Sequence, residues 1–476
     1  MFELVAIFAI YWITVEVAKR KGVFGSRVTA YGPILLIRTF RLLGFIERLA
    51  RFRRFWRFFA EVGVVAVLAG MLFMFVLILL VDYVMVVSPP QPSEYTSPRA
   101  ALLIPGVNPF VPLVWGGVGL AVTLVVHEFS HAVLCRTEGI RVKALGVVLA
   151  LLPIGGFAEP DEEELKAARF RAKIRVFSAG IAANFAVAFA AFAAFFYALS
   201  FVSPAVVVLD DEGNFVGVVE RVNGFEVYEI SDLKLQSQKL ELLVVGKNGS
   251  EKVLVDNVWG VKIVGFPEGD YPAKRSGMMR GDLIVAVDGV KVESYEEFRK
   301  VMKSKKPGEE VVIRVYRNGE FLNVTLRLAE AKGRAFMGVY VYPGYCVGGL
   351  NIYESGQLLQ QLKSLPNAAL NPVNWFLILA MPFSFQGFVG DYELMFRAER
   401  HVFWTLNTLY WVAWINFYVG LFNCLPAVPL DGGRVLQELL RRFASEKVAE
   451  KFMRVLTVFI FASIALSITI PNLGAL

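Results

Sequence analysis

The stretch Val107–Val126 (VNPFVPLVWGGVGLAVTLVV) runs directly into His127-Glu128-Phe129-Ser130-His131, and together they decide the fold. The first part is uncharged for 20 residues, the length of a helix that crosses a bilayer. Residues four apart lie on one face of a helix, so His127 and His131 can offer two imidazoles to one metal ion. Glu128 is then placed to act as a general base on a water held by that ion. Because the chain has only three His, chance is the weaker explanation of this pattern.

Composition places the chain in a membrane. Its hydrophobic content is 56% of 476 residues, whereas soluble domains have about 45–50%. The net charge of +7 is unevenly distributed: segments 19–57, 136–175 and 434–454 hold 11, 8 and 6 Lys/Arg, and 88–112 holds one. This asymmetry follows the positive-inside rule, so the basic segments are predicted to be cytoplasmic. Segment 19–57 is interpreted as lying on anionic lipid, and no nucleic-acid partner is expected.

Other polar residues in apolar surroundings are candidates for the same site. A catalytic zinc ion has three protein ligands and one open position, and Asp431 in NCLPAVPLDGG (423–433) is the best candidate for the third ligand. Asn184 lies in an uncharged run of 34 residues, 176–209, where a polar group indicates either function or a hydrogen bond between helices. Residues 142–158, which include Gly155 and Gly156, are predicted to form a β-hairpin that dips toward the site.

Between about 204 and 330 the sequence changes to short strands, turns and charges. The pattern at Val222-Asn223-Gly224 recurs at Val287-Asp288-Gly289, and Lys247-Asn248-Gly249 recurs as Arg317-Asn318-Gly319. The Asn-Gly and Asp-Gly pairs predict tight hairpin turns. The second copy resembles a PDZ domain with a carboxylate-binding loop near Val261–Phe266, and the first resembles a degenerate one. PDZ domains bind peptide ends by strand addition, and a structural cap without a ligand is the alternative.

These motifs together resemble the site-2 protease family of intramembrane metalloproteases. The resemblance rests on HEFSH (127–131), SAGIAANF (178–185), the PDZ-like insertion and NCLPAVPLDGG. It implies that His127, His131 and Asp431 bind one Zn²⁺ per chain and that Glu128 is the catalytic base. It also implies that Asn184, Asn423 and the hairpin around Gly155 and Gly156 help to hold substrate.

The function implied is that of a zinc metalloendopeptidase which cleaves single-span membrane proteins within their transmembrane segments, in regulated intramembrane proteolysis. A zinc-bound water activated by Glu128 would be the nucleophile. Two alternatives remain. A non-catalytic membrane scaffold using its PDZ-like region would not need both Glu128 and Asp431. A metal transporter would be expected to show inverted repeats and several polar spans, which the sequence lacks.

The predicted fold is a polytopic α-helical membrane protein of about six spans with an extracytoplasmic α+β PDZ-like insertion. It is expected in the cell membrane, with the active site toward the cytoplasm and peptide C-termini as possible ligands of the insertion. The predicted organisation is as follows: 1–18, first span; 19–60, basic cytoplasmic or interfacial segment; 61–202, membrane core with the HExxH helix and re-entrant hairpin; 203–260, degenerate PDZ-like repeat; 261–330, PDZ-like domain; 331–400, extracytoplasmic or interfacial linker; 401–476, membrane core with the LDG motif and last span.

Overall fold

The chain divides into two compact units. A computed structural model describes residues 2–25, 27–150, 152–234, 238–247, 249–331 and 333–475. The helical unit contains Met1–Tyr197, Leu379–Gly387 and Thr405–Leu476, and the strand-rich unit contains Ala198–Ile378 and Phe388–Trp404.

The secondary structure follows this division. The helices are α1 (Phe2–Arg20), α2 (Leu43–Ala50), α3 (Arg53–Val87), α4 (Leu113–Thr137), α5 (Glu162–Ala167), α6 (Phe170–Ala198), α7 (Ile230–Lys234), α8 (Pro272–Arg275), α9 (Tyr295–Lys303), α10 (Gly356–Ala368), α11 (Trp375–Leu379), α12 (Met381–Ser384), α13 (Asp391–Leu394), α14 (Arg400–Asn423), α15 (Asp431–Leu440) and α16 (Glu446–Thr469). The strands are β1 (Val28–Tyr31), β2 (Ile34–Thr39), β3 (Val142–Ala150), β4 (Leu152–Pro160), β5 (Ser203–Pro204), β6 (Val206–Leu209), β7 (Phe215–Val222), β8 (Phe225–Glu226), β9 (Lys239–Gly246), β10 (Gly249–Asp256), β11 (Trp259–Gly265), β12 (Leu283–Val287), β13 (Val290–Lys291), β14 (Glu310–Arg317), β15 (Glu320–Arg327), β16 (Ala329–Ala331), β17 (Arg334–Phe336), β18 (Tyr340–Val341), β19 (Tyr345–Val347), β20 (Leu350–Glu354) and β21 (Phe396–Arg397).

Four helices in the described part of the chain are long and apolar enough to cross a membrane. They are Arg53–Val87, Leu113–Thr137, Phe170–Phe201 and Glu446–Leu473. The other two predicted spans fall on α1 and α14, helices of 19 and 24 residues. Residues 364–390 form short helices, of which the apolar stretch Pro372–Ser384 is too short to cross a bilayer. The chain is therefore a membrane protein, and a count of six spans remains a prediction.

Small residues bring the helices of the helical unit close together. A Cβ atom added at Gly63 on α3 would lie 2.5 Å from the Cβ of Ala182 on α6. A Cβ added at Gly119 on α4 would lie 2.7 Å from the carbonyl oxygen of Trp411 on α14. Such contacts are typical of membrane helices, whose association depends on close packing. The second contact packs α4, the helix that carries HEFSH, directly against α14.

The hairpin predicted for 142–158 is present as β3 and β4, with Val147 opposite Gly156 and Val148 opposite Gly155. It belongs to a four-stranded antiparallel sheet in the order β1-β2-β3-β4. The strands β1 and β2 come from the segment that the sequence presents as basic and lipid-facing. The apolar, β-branched run of β2 (ILLIRT) explains why this part pairs with β3. The strand β4 lies at the edge of the sheet.

The strand-rich unit is built on one extended antiparallel sheet. Its strands follow the order β10-β9-β7-β6-β20-β19-β11-β12-β14-β15. Two apolar clusters lie in it, one containing Val206, Leu240 and Ile352 and the other containing Ile263 and Val311. The two clusters correspond to the two copies of the sequence repeat.

The predicted turns of the repeat are confirmed where they are described. Asn223, Asp288 and Asn318 have φ of 50°, 47° and 49°, and the Gly after each is also at positive φ. Positive φ at both residues is the requirement of a type I′ hairpin turn, which favours Asn-Gly and Asp-Gly. The turn predicted at Lys247-Asn248-Gly249 lies partly outside the described residues, because Asn248 is not among them.

Two expectations for this unit need correction. The predicted carboxylate-binding loop near Val261–Phe266 falls on β11, which pairs with β12 on one side and with β18 and β19 on the other. Its backbone is therefore already used by the sheet. Part of the predicted linker 331–400 is also strand: β20 pairs with β6, so these residues complete the sheet of the first copy. Such pairing between distant segments leaves no local signal in the sequence.

Candidate metal centre

Three side chains from two distant parts of the chain converge in the helical unit. His127 and His131 lie one turn apart on α4, and their Nε2 atoms are 3.2 Å apart. The Oδ2 atom of Asp431, at the start of α15, lies 3.1 Å from Nε2 of His127 and 3.0 Å from Nε2 of His131. All three side chains are at most 14% exposed. They form a group that could hold a metal ion.

The donor set fits zinc. Zn²⁺ binds imidazole nitrogen and carboxylate oxygen at about 2.0–2.1 Å, so two ligand atoms of a tetrahedral site are about 3.3 Å apart. The three separations of 3.0–3.2 Å match one face of such a tetrahedron. Three protein ligands leave a fourth position open, as catalytic sites require and structural sites do not.

Two glycines bring Asp431 to the histidines. A Cβ added at Gly432 would lie 2.4 Å from the carbonyl oxygen of Cys424, and one added at Gly433 would lie 2.4 Å from that of Ala427. The first turn of α15 therefore packs directly on the backbone that follows α14. Side chains at these positions would push α15 away, which gives the Gly-Gly of the LDGG sequence a physical role.

The other ring nitrogens of both histidines face α6. Nδ1 of His131 lies 2.7 Å from the carbonyl oxygen of Val176, and Nδ1 of His127 lies 3.1 Å from the side-chain amide of Asn184. Between them, a Cβ added at Gly180 would lie 2.6 Å from Nε2 of each histidine. Sequence reasoning missed Val176 and Gly180, although the spacing 176, 180, 184 puts all three positions on one helix face.

Glu128 faces β4. Its Oε2 atom accepts a hydrogen bond of 2.9 Å from the backbone N–H of Ala158. A Cβ added at Gly156 would lie 2.8 Å from Cγ of Glu128 and 3.3 Å from the carbonyl oxygen of Leu124. The strand can approach the carboxylate this closely only because residue 156 has no side chain.

A cavity of about 310 Å³ contains the three candidate ligands and Glu128. A neighbouring cavity of about 640 Å³ shares Phe157, Ala158, Phe177 and Arg434 with it. The second cavity is also lined by charged side chains of β4, α5, α6 and α15, including Glu162, Lys173 and Glu438. The two cavities are therefore adjacent, and charged side chains line the one farther from the candidate ligands.

The remaining predicted residues have different surroundings. Asn423 lines the smaller cavity, and its amide donates to the carbonyl oxygen of Val419 at 3.1 Å. Asn184 and Gly155 are not among the described residues that line this cavity. Gly155 is instead next to Val148 on the paired strand. A role in substrate binding remains a prediction for all of these residues.

These features define a membrane metallopeptidase: two histidines on one helix, a distant aspartate and an adjacent glutamate, all in a unit with membrane-length helices. The model of peptidase family M50 matches residues 115–467, about three quarters of the chain. The chain belongs to this family, the site-2 protease family of zinc metalloproteases.

Individual relatives show the extent of the similarity. The uncharacterized protein MJ0971 of Methanocaldococcus jannaschii is 23% identical over 81% of this chain and 73% of its own length. The regulator of sigma-E protease RseP of Escherichia coli is 25% identical over 70% of this chain and 91% of its own length. The zinc metalloprotease RasP of Shouchella clausii is 32% identical over 35% of this chain, and the match spans only 39% of RasP.

A solved structure matches a smaller region. It is the PDZ domain of the SdrC-like protein of Listeria monocytogenes, 28% identical, covering 17% of this chain and 86% of the domain, with a TM-score of 0.16.

Proposed function

We propose that this zinc metalloprotease cleaves single-span membrane proteins within their transmembrane segments, in regulated intramembrane proteolysis. The observation that carries the proposal is the convergence of His127, His131 and Asp431 within 3.2 Å of one another beside Glu128. In this proposal the first three bind zinc and Glu128 is the general base. Ionisable groups in a membrane core are costly, so such a cluster indicates function.

A bound zinc ion would supply Lewis-acid chemistry, polarising the scissile carbonyl and making a water molecule more nucleophilic. Glu128 accepts a proton from the attacking water as the new C–O bond forms. The same carboxylate then donates this proton to the leaving amide nitrogen as the C–N bond breaks. The hydrogen bond from Ala158 N–H holds the Glu128 carboxylate beside the cavity, where it can perform both transfers.

The edge position of β4 supports binding of an extended substrate. The carbonyls of a helix are hydrogen-bonded within the helix, so a transmembrane segment must unwind before hydrolysis. Strand addition to an exposed edge would hold the unwound segment by its backbone. Gly156 lets β4 lie against Glu128, so a segment added to the edge of β4 would be held near the base. Asn423 could bind a substrate carbonyl from the other side of the ligand group.

Water and the released fragment need a route to the site. The charged cavity beside the metal centre is suited to both, since it is lined by side chains that retain water. In the proposed topology this route opens to the cytoplasm, because it lies among segments that are rich in Lys/Arg, as cytoplasmic segments next to spans are. The topology has six spans, with α1 and α14 added to the four membrane-length helices, and places the strand-rich unit outside the cytoplasm.

The strand-rich unit is proposed to select substrates. Its duplicated PDZ-like sequence supports either capture of a peptide C-terminus, such as one produced by an earlier cleavage, or a size limit on what reaches the membrane site. Binding of C-terminal peptides to the full chain, measured with and without a free carboxylate on the peptide, separates these two roles.

The central experiment uses the purified full chain in detergent with a fluorescent single-span membrane protein as substrate. Glu128→Gln is expected to keep one zinc per chain and to lower the cleavage rate by about 10²–10⁴-fold, the usual contribution of a general base. Glu163→Gln, at an exposed glutamate of α5, is the matched control and should cleave at the wild-type rate. Cleavage by Glu128→Gln at the wild-type rate would contradict the proposal.

A further inference from the structure

One face of α6 closes off the metal site. Val176, Gly180 and Asn184 are spaced four residues apart and therefore lie along one line of the helix. They provide a backbone carbonyl for His131, an empty side-chain position beside both Nε2 atoms, and a carboxamide for His127. The Val176 carbonyl and the Asn184 amide thus contact the two Nδ1 atoms, whereas Gly180 lies against the two Nε2 atoms that face Asp431.

Metal binding fixes which nitrogen of each imidazole carries the proton. An imidazole that binds a metal through Nε2 is neutral and carries its proton on Nδ1, which then needs an acceptor. For His131 the acceptor is the carbonyl oxygen of Val176, at 2.7 Å. For His127 the nearest polar group is the amide of Asn184, at 3.1 Å.

Only one of the two polar groups of the Asn184 carboxamide has a described hydrogen bond. Its Nδ2 group faces Nδ1 of His127, which suits the tautomer with the proton on Nε2, shared with Oδ2 of Asp431 at 3.1 Å. Its Oδ1 atom is buried and has no hydrogen-bond partner among the described residues. A half-turn of the amide exchanges nitrogen for oxygen at nearly the same position, and Oδ1 would then accept from Nδ1–H.

We propose that Asn184 is a positioning residue for the metal centre: its carboxamide turns to match the tautomer of His127 in the metal-free and metal-bound states. Asparagine fits this task because one end donates and the other accepts. In the metal-bound state the Oδ1 atom orients the His127 ring and raises its affinity for zinc. The proposal rests on His127 being a zinc ligand, as in the proposed function, but not on Glu128 or on the nature of the substrate.

The test is zinc affinity, measured by competition with a chelator on the purified full chain in detergent. Asn184→Leu removes both ends of the amide at similar size, and zinc binding should weaken by about 10–100-fold. Asn184→Asp keeps only the acceptor, so it should bind zinc at least as tightly as wild type. A purely structural role for the amide predicts that both variants lose affinity.

Asn416→Leu is the matched control. Asn416 on α14 is also fully buried, its Nδ2 donates to the carbonyl oxygen of Val412, and its Oδ1 lacks a partner among the described residues. It should keep the wild-type zinc affinity within about twofold, since the hydrogen bond described for it goes to Val412 and not to a candidate ligand.

Wild-type affinity in Asn184→Leu, an equal loss in Asn184→Asp, or an equal loss in Asn416→Leu would each overturn the positioning role. If Asn184→Leu does not fold, the zinc affinity of Asn184→Asp still tests the proposal, because weaker zinc binding by Asn184→Asp than by wild type would contradict it. His127→Ala separates the two claims. Unchanged zinc affinity in His127→Ala would contradict the assignment of the metal centre itself. Loss of zinc binding in His127→Ala, together with normal zinc binding in Asn184→Leu, would overturn only the role of Asn184.

Discussion

The helix α6 and the strand β4 both reach the metal site, and they contribute different things. α6 offers fixed contacts to the two imidazoles: the carbonyl of Val176, the amide of Asn184 and the bare backbone of Gly180. β4 contacts Glu128 through Ala158 N–H and lines the cavities where substrate and water would enter. In the proposed function, the α6 wall would therefore orient the metal ligands, and the β4 wall would hold the base and the substrate. Variants of α6 should therefore change zinc binding, and variants of β4 should change cleavage with zinc retained.

Among the variants of α6 and of the sheet that contains β4, the largest effect is expected from Gly180→Ala. The added methyl group would lie 2.6 Å from Nε2 of both His127 and His131, in the space that the metal ligands need. Zinc content should fall well below one per chain and cleavage should drop by at least about 100-fold. Gly117→Ala on α4 is the control, because a Cβ there meets no atom within 4 Å. Normal zinc content in Gly180→Ala would show that α6 does not enclose the site as described.

A smaller, purely kinetic effect is expected from Gly156→Ala. Its methyl group would press on Cγ of Glu128, at 2.8 Å, and displace the base or the strand. We expect cleavage to fall by roughly 10–100-fold, as a misplacement of about 1 Å can cause, while zinc content stays at one per chain. At Gly155 the nearest atom is 3.6 Å away, so Gly155→Ala should lose less activity. An equal loss in both variants would mean that the strand edge, and not the contact with Glu128, is what matters.

The smallest effect is expected from Arg38→Gln. Arg38 on β2 pairs with Glu159 on β4 at 2.9 Å, and both side chains are partly exposed. Such pairs contribute at most about 1 kcal/mol, so cleavage should change by less than about fivefold with zinc content unaffected. A loss as large as that of Gly156→Ala would show that this ion pair, and not the backbone of β4, sets the position of the strand.

The sequence predicts which side chains converge as candidate metal ligands better than it predicts their surroundings. The spacing of His127 and His131 around Glu128 predicts two ligands on one helix face, and Asp431 is a candidate because a carboxylate is costly in an apolar segment. Val176 was missed because its contribution is a backbone carbonyl, which every residue possesses. Gly180 was missed because it contributes an absent side chain, which only a three-dimensional contact reveals. The helical spacing from Asn184 back to residues 180 and 176 was the one available signal.

Prediction of the fold from the sequence has the same limit, because only local patterns can be recognised. Long apolar runs and Asn-Gly turns are local patterns, and they predicted the membrane-length helices and the hairpins. The pairing of β2 with β3 and of β20 with β6 joins segments more than 100 residues apart. Because such pairing depends on complementary edges and not on local composition, segments 19–60 and 331–400 were expected to be a lipid-facing segment and a linker.

The most direct test of the account is zinc content after removal of each histidine and of the aspartate. His401 is the third His of the chain, its side chain is 74% exposed, and it pairs with Glu399. We predict that His127→Ala, His131→Ala and Asp431→Asn each lose zinc, whereas His401→Ala retains one ion per chain. Full zinc content in any of the first three variants, or its loss in His401→Ala, would contradict the metal centre on which the account depends.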